Sequence, residues 1–220
     1  RIIARLSMTD SENHVHRDNP ALNQSPRKKR MFFTIIKSAL LASKTLVRKN
    51  SSQVKKKDWG DGKYSGDWIE SSPHGRGKLV WLDGRIYEGD WVDGKRHGKG
   101  KFSWSDGDVY EGDYVDDKKQ GFGRYFYNSG DVYEGDYVDD LPHGEGKFIS
   151  SDGSVYEGQY LDGRSHGKGR YAHFSGTVYE GDWVEDKRHG KGVLRSFDGD
   201  VYDGDYVEDK KHGVGTYKWP

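Results

Sequence analysis

The sequence predicts an all-β protein: an elongated, single-layer antiparallel β-meander of about seven 23-residue hairpins, preceded by a basic arm with an N-terminal amphipathic helix. Three observations carry this prediction. Seven tyrosines, Tyr64, Tyr87, Tyr110, Tyr133, Tyr156, Tyr179 and Tyr202, stand 23 residues apart, and a fixed period of this size marks a repeat array. Within each period, rings and glycines alternate with charges, the two-residue rhythm of a strand with one polar face. The segments between strands are too short for a parallel crossover, so neighbouring strands must run antiparallel.

Each column of the repeat has a physical reading. A glycine follows every Tyr by two positions, from Gly66 to Gly204, and a ring follows by four, as Trp68, Trp91, Tyr114, Tyr137, Tyr160, Trp183 and Tyr206. Glycine between two rings leaves room for aromatics to lie across the backbone. In the second unit the first strand reads Tyr87-Glu-Gly-Asp-Trp91, and a turn is expected through residues 93–98. The second strand reads Gly100-Lys-Phe102-Ser-Trp104, and Asp106-Gly107 forms the hairpin dipeptide leading to Tyr110. Alternation places the Tyr, Gly and ring columns on one face with Leu79, Phe102, Tyr125, Phe148, Tyr171, Leu194 and Tyr217. The other face pairs Glu88 and Asp90 with Lys101, and Glu111 and Asp113 with Arg124. This pairing fades where Val193 and Thr216 replace the base. Two strands per unit at about 4.8 Å give a slat of roughly 65–70 Å, with free edges at both ends.

Composition bounds the chemistry. Only 32% of the 220 residues are apolar and 33% are charged, so burial must come largely from the aromatics. Without cysteine there are no disulfides, thiolate metal sites or Cys nucleophiles. The zero net charge conceals a split: residues 1–57 carry 14 Lys and Arg against 3 Asp and Glu, and residues 58–220 carry 22 against 33. That is a basic arm on an acidic body. No apolar run approaches the roughly 20 residues of a membrane span. The stretch from Phe32 to Val47, interrupted by Lys37 and Lys44, is a poor signal peptide. The spacing of Phe32, Ile35, Ile36, Ala39, Leu40, Leu46 and Val47 predicts an amphipathic helix over residues 31–48. The chain opens on Arg1 and stops at Pro220 inside its seventh unit, and is read as a piece whose remainder could hold another domain.

The columns Y-x-G-x-[WY], then G-x-G-x-aromatic, then [DSN]-G, resemble the MORN (membrane occupation and recognition nexus) repeat over residues 64–219. The resemblance implies a single-layer β-meander. It implies function of three kinds: junctophilin-like tethers at membrane contacts, cytoskeletal or ciliary scaffolds, and arrays attached to phosphatidylinositol phosphate kinases or a SET-domain methyltransferase. Neither a kinase nor a SET motif is found in this sequence.

Candidate sites are weighed on the same residues. His74, His97, His143, His166, His189 and His212, with Gln120 as the exception, recur once per unit. Equivalent residues lie about 10 Å apart, too far to share one metal with bonds near 2 Å, so a turn role is preferred. The Gly-x-Gly pairs lack the following helix and the lysine of a phosphate loop. The Asp and Glu recur in every unit instead of forming one special pair. No catalytic, cofactor or metal residues are expected. The aromatic face is the leading candidate: a one-layer sheet has no second layer, and an exposed apolar groove usually marks an interaction site. The residues assigned to it are Trp68, Trp81, Trp91, Trp104, Tyr114, Tyr127, Tyr137, Tyr160, Trp183 and Tyr206. The outer rings Trp81, Trp104, Tyr127 and Trp219 are expected to be the more available, and the occupant an extended peptide or amphipathic helix. Arg27, Lys28, Lys29, Arg30, Lys37, Lys44, Arg48, Lys55, Lys56 and Lys57 are the candidates for anionic lipid. The arm could equally fold back on the aromatic face or cap the first strand. A nucleic-acid role ranks last, because the acidic body repels phosphates.

The expected function is a non-enzymatic scaffold holding a protein partner at a membrane or the cytoskeleton, in the cytoplasm, with self-association through the sheet ends also open. The alternatives are the regulatory array of a larger enzyme such as a phosphatidylinositol phosphate kinase, or a ciliary or axonemal structural part.

Overall fold

The computed structural model describes residues 55–220, which form one open sheet of fifteen strands paired in sequence order. The strands are β1 Lys55–Trp59, β2 Gly62–Ile69, β3 Ser72–Trp81, β4 Ile86–Val92 and β5 Lys95–Ser103. There follow β6 Val109–Val115, β7 Lys118–Phe126, β8 Val132–Val138, β9 Leu141–Ile149 and β10 Val155–Leu161. The last five are β11 Arg164–Ala172, β12 Val178–Val184, β13 Lys187–Arg195, β14 Val201–Val207 and β15 Lys210–Lys218. No helix occurs among the described residues, and the helix expected over 31–48 lies outside them.

The sheet begins earlier than the sequence suggests. Lys55, Lys56 and Lys57, expected in the basic arm, form β1 and pair with Gly66, Ser65 and Tyr64. The array is therefore seven hairpins plus one leading strand.

Within a hairpin, the expected six-residue turn is a correction. Residues 93–98 contain only a two-residue turn, Asp93 (φ 50°) and Gly94 (φ 80°), and β5 already starts at Lys95. Two positive φ values match the twist of the flanking strands. Gly98 lies within β5 as a bulge: Gly89 pairs with Gly100, and Asp90 pairs with His97. The bulge frees the Lys99 backbone N–H, which donates to the Asp90 carboxylate at 3.1 Å. Asp67, Asp182 and Asp205 accept the equivalent bond from Arg76, Lys191 and Val214. At the other end of the hairpin, Trp104 lies just past β5 in the loop to β6, its N–H bonded to the Asp108 carbonyl at 2.9 Å.

The core lies on one face. Each Tyr of the period donates its hydroxyl to the carbonyl three residues on, as Tyr87 does to Asp90 at 3.0 Å. Its ring then lies over the glycine row, in which Gly77, Gly89, Gly100 and Gly112 are register partners. On the opposite face the charge partners differ from expectation. Lys101 stands between Glu88 and Glu111 and pairs with Glu111 at 2.8 Å, in the next repeat. Arg124 likewise takes Glu134 at 2.9 Å, and Lys99 takes Asp113 at 2.7 Å. The ion pairs couple successive repeats instead of closing one hairpin. Each is solvent-exposed and worth about 0–1 kcal/mol.

Candidate functional site

The aromatic face is built in two rows. In the inner row, edge-to-face contacts run without interruption along the sheet: Tyr64 to Trp91 at 5.3 Å, Trp91 to Tyr87 at 5.0 Å, Tyr87 to Tyr114 at 5.3 Å, and so on to Tyr206 and Tyr202 at 5.5 Å. Every ring of the second column from Trp91 on is thus clamped between the period tyrosines of its own and the preceding repeat, and Trp68 stands between Tyr64 and Trp59. Each such pair contributes about 0.5–1.5 kcal/mol beyond burial. The outer row runs Trp81, Phe102, Trp104, Tyr125, Tyr127 and Phe148, with centroids 4.4–6.1 Å apart. It thins where Ser150 and Ser196 replace the ring.

This packing divides the ten rings assigned to the groove. Trp91, Tyr114, Tyr137 and Tyr206 are buried, so their place is the core and their faces are not free surface; Trp183 is also buried but keeps 7% of its surface and lines the groove described below. Trp68, Tyr160, Trp81 and Trp104 are half-buried, and Tyr127 is 36% exposed. Trp219 is exposed beside Tyr217. Of the lipid candidates, Lys56 and Lys57 are exposed on β1, and the Lys57 ammonium stands 5.1 Å from the Trp68 ring. Arg27, Lys28, Lys29, Arg30, Lys37, Lys44 and Arg48 lie outside the described residues.

The histidine column has a structural task. His74 Nδ1 accepts the backbone N–H of Asp93 at 3.4 Å, and Gln120 Oε1 accepts that of Asp139 at 3.1 Å. Gln120 therefore does the same work as His74, whereas Nδ1 of His97 and of His189 is buried without a hydrogen-bond partner.

One column escaped sequence reading because it looked like turn residues. Nine positions after each Tyr come Pro73, Arg96, Lys119, Pro142, Ser165, Arg188 and Lys211, all on the aromatic face. Arg96 lies 5.9, 5.2 and 5.1 Å from the rings of Tyr87, Phe102 and Tyr114. Lys119 lies 5.0–5.4 Å from Tyr110, Tyr125 and Tyr137, and burial holds its pKa below the ordinary lysine value despite Asp140 nearby. Arg188 covers Tyr179 and Tyr206, and Lys211 covers Tyr202 and Tyr217. The turn of the following repeat answers this column. Arg96 N–H and Nε–H both donate to Asp117 Oδ1 at 3.0 Å. Asp140, Asp186 and Asp209 accept from Lys119, Ser165 and Arg188 in the same way. Where the column holds proline, which has no N–H, the turn holds glycine: Gly94 and Gly163 donate to the carbonyls of Pro73 and Pro142. Asp117 has φ 72°, so Asp117→Ala loses the Arg96 contacts and strains the turn, costing about 2 kcal/mol. Asp117→Gly removes the contacts alone and costs about half that. Thermal unfolding of the two variants checks the order.

The rings and the uncovered positions enclose a groove of about 950 Å³ between β9 and β14, lined by Phe148, Tyr160, Tyr171, Trp183 and Leu194 among others. Phe174 and Phe197, on the loops beside it, are 63% and 75% exposed. A trough of about 780 Å³ runs along the glycine row of the opposite face. Its cations Arg76, Lys78, Lys99 and Lys101 are already paired with Asp90, Glu88, Asp113 and Glu111. The aromatic groove also holds the Arg188–Asp209 pair, but its walls are chiefly rings, and it is the better binding surface.

Among proteins of curated function, none matches this chain. Solved structures give distant likenesses. The TCP domain of Drosophila melanogaster SAS-4, in complex with a proline-rich motif of Ana2, is 13% identical, with a TM-score of 0.40 over 70% of this chain and 85% of that one. The TCP10 domain of Danio rerio CPAP, in complex with a STIL peptide, is 17% identical, with a TM-score of 0.31 over 69% and 78%. The family model of the MORN repeat matches seven consecutive segments, 64–84, 87–109, 110–132, 133–155, 156–178, 179–201 and 202–220. With the tyrosine over its glycine slot recurring in each of these segments, the chain belongs to the MORN repeat family.

Proposed function

We propose that this protein is a non-enzymatic scaffold whose aromatic groove binds an extended segment of a protein partner and whose basic arm holds the assembly at an anionic membrane. The groove of about 950 Å³ is the observation that carries the first half: it is mainly apolar, open and, among the described residues, not filled by side chains. The second half is supported by the charge of residues 1–57, with 14 Lys and Arg against 3 Asp and Glu. On this reading the protein works in the cytoplasm against a membrane surface.

Peptides selected from a displayed random library against the wild-type array test the groove. The double variant Phe174→Ser/Phe197→Ser, altered only at exposed loop rings, is expected to bind them roughly tenfold more weakly. Equal binding would overturn the groove reading. For the membrane half, vesicles containing phosphoinositide should sediment the full chain. Deletion of 27–54, which spares β1, should abolish this, and undiminished sedimentation would remove the arm as the lipid contact.

A further inference from the structure

The geometry points to a seat for an arginine side chain of the partner, in the rings around Ser165; this rests on the groove reading and specifies its occupant. Two repeats place a cation of this chain over the same trio of rings, Arg96 and Lys119, and in two more Arg188 and Lys211 cover two rings each. At Ser165 the trio is complete and the cation is not encoded. Tyr156, Tyr171 and Trp183 correspond, three repeats on, to the Tyr87, Phe102 and Tyr114 that surround Arg96. Tyr156 and Trp183 meet edge to face at 5.1 Å, as Tyr87 and Tyr114 do at 5.3 Å.

The carboxylate is there as well. Asp186 corresponds to the Asp117 that binds Arg96, and its Oδ1 is fixed by the Ser165 N–H at 2.7 Å and the Ser165 hydroxyl at 3.0 Å. All of these residues line the groove. The chain therefore shows in Arg96 how a guanidinium sits among these groups, and offers the same walls at Ser165 to a guanidinium from outside. Arginine is favoured over lysine because Arg96 uses both Nε and Nη2 toward Asp117, a forked contact that an ammonium does not reproduce. The charge of the array agrees, with 22 Lys and Arg against 33 Asp and Glu over residues 58–220. The partner segment is an extended one that carries an arginine and runs past Pro142, where the column bears no cation.

The test follows the Trp183 indole N–H by NMR while acetyl-Gly-Arg-Gly-amide is added at millimolar concentrations. The expected result is a saturable shift, with the neutral citrulline counterpart binding roughly tenfold more weakly. Ser165→Arg supplies the guanidinium internally, in a place where Arg96 and Arg188 are already tolerated. It should abolish the shift while keeping the wild-type unfolding temperature. Asp186→Asn, which retains side-chain shape in a turn residue with φ 67°, should weaken the arginine peptide and leave the citrulline peptide unchanged. Equal binding of the two peptides, or an unchanged titration in Ser165→Arg or in Asp186→Asn, would overturn the seat. Library-selected peptides that need Phe174 and Phe197 but contain no arginine and ignore Ser165→Arg overturn the seat and leave the groove standing. Absence of both selected peptides and the tripeptide shift overturns both.

Discussion

Gly89→Ala is expected to lower the unfolding temperature by about 6–12 °C, corresponding to about 3 kcal/mol or more. A methyl group at Gly89 would lie 2.6 Å from the Gly100 Cα, 2.6 Å from the Lys99 carbonyl oxygen and 2.6 Å from the Tyr87 hydroxyl. Two of these atoms are backbone of the paired strand β5, held by ladder bonds on both sides. The third belongs to a fully buried ring that is clamped by Trp91 and Tyr114 and bonded to the Asp90 carbonyl. Nothing near the site can give way cheaply, so either the strands separate or the tyrosine leaves its slot. Gly153→Ala separates crowding from backbone strain: its φ is 91°, but nothing stands nearer than the Phe174 Cβ at 4.0 Å. It should cost about 1 kcal/mol, the price of a left-handed alanine alone. Equal losses in the two variants would show that the glycine slot is not what holds the tyrosine.

That slot was legible in the sequence because it is written seven times. Any column that must be glycine, or must be a ring, repeats at the period and separates itself from variable surface. The strand alternation and the seven-hairpin order followed from the same grammar. What stayed hidden were features for which one residue type serves two tasks. Gly94 and Gly98 look alike on paper, yet one belongs to a two-residue turn and the other to a bulge inside β5, so the turn was read too long. Lys101 has a glutamate at the same level on each side, and sequence alone could not choose Glu111 over Glu88. The second ring column read as groove surface because its alternation matches that of the outer rings. Only the herringbone shows that Tyr87 packs against both Trp91 and Tyr114 and buries them. Arg96 and Ser165 were absorbed into the presumed turn. The signal that could have found them was the match to the next turn, where aspartate follows a residue with an N–H and glycine follows proline.

The largest response to solution conditions is expected in alkali. Burial raises the phenol pKa of Tyr64, Tyr87, Tyr110, Tyr133 and Tyr156 well above the value of 10.0 that applies in an unfolded chain. The aspartate carboxylate four residues or fewer from most of these rings adds to the rise, as Asp136 does for Tyr133. The sign follows from which state keeps its protons. Below about pH 10 both states are protonated and stability is unaffected; above it the unfolded chain ionises while the folded phenols do not, so unfolding releases protons and is favoured. Each buried phenol then removes about 1.4 kcal/mol of stability per pH unit until its folded pKa is reached. Because one inner row carries many such rings, the losses accumulate within a single pH unit. Urea midpoints should be flat up to about pH 10 and then fall steeply, with phenolate absorbance appearing in the same narrow window as loss of β-sheet signal. Tyr133→Phe, which keeps the ring and removes one ionisable group, should make that fall shallower by one proton, although it also loses the bond to the Asp136 carbonyl. If phenolate absorbance instead rises gradually around pH 10 while the sheet signal persists, the inner-row tyrosines are open to water and the herringbone is not a core.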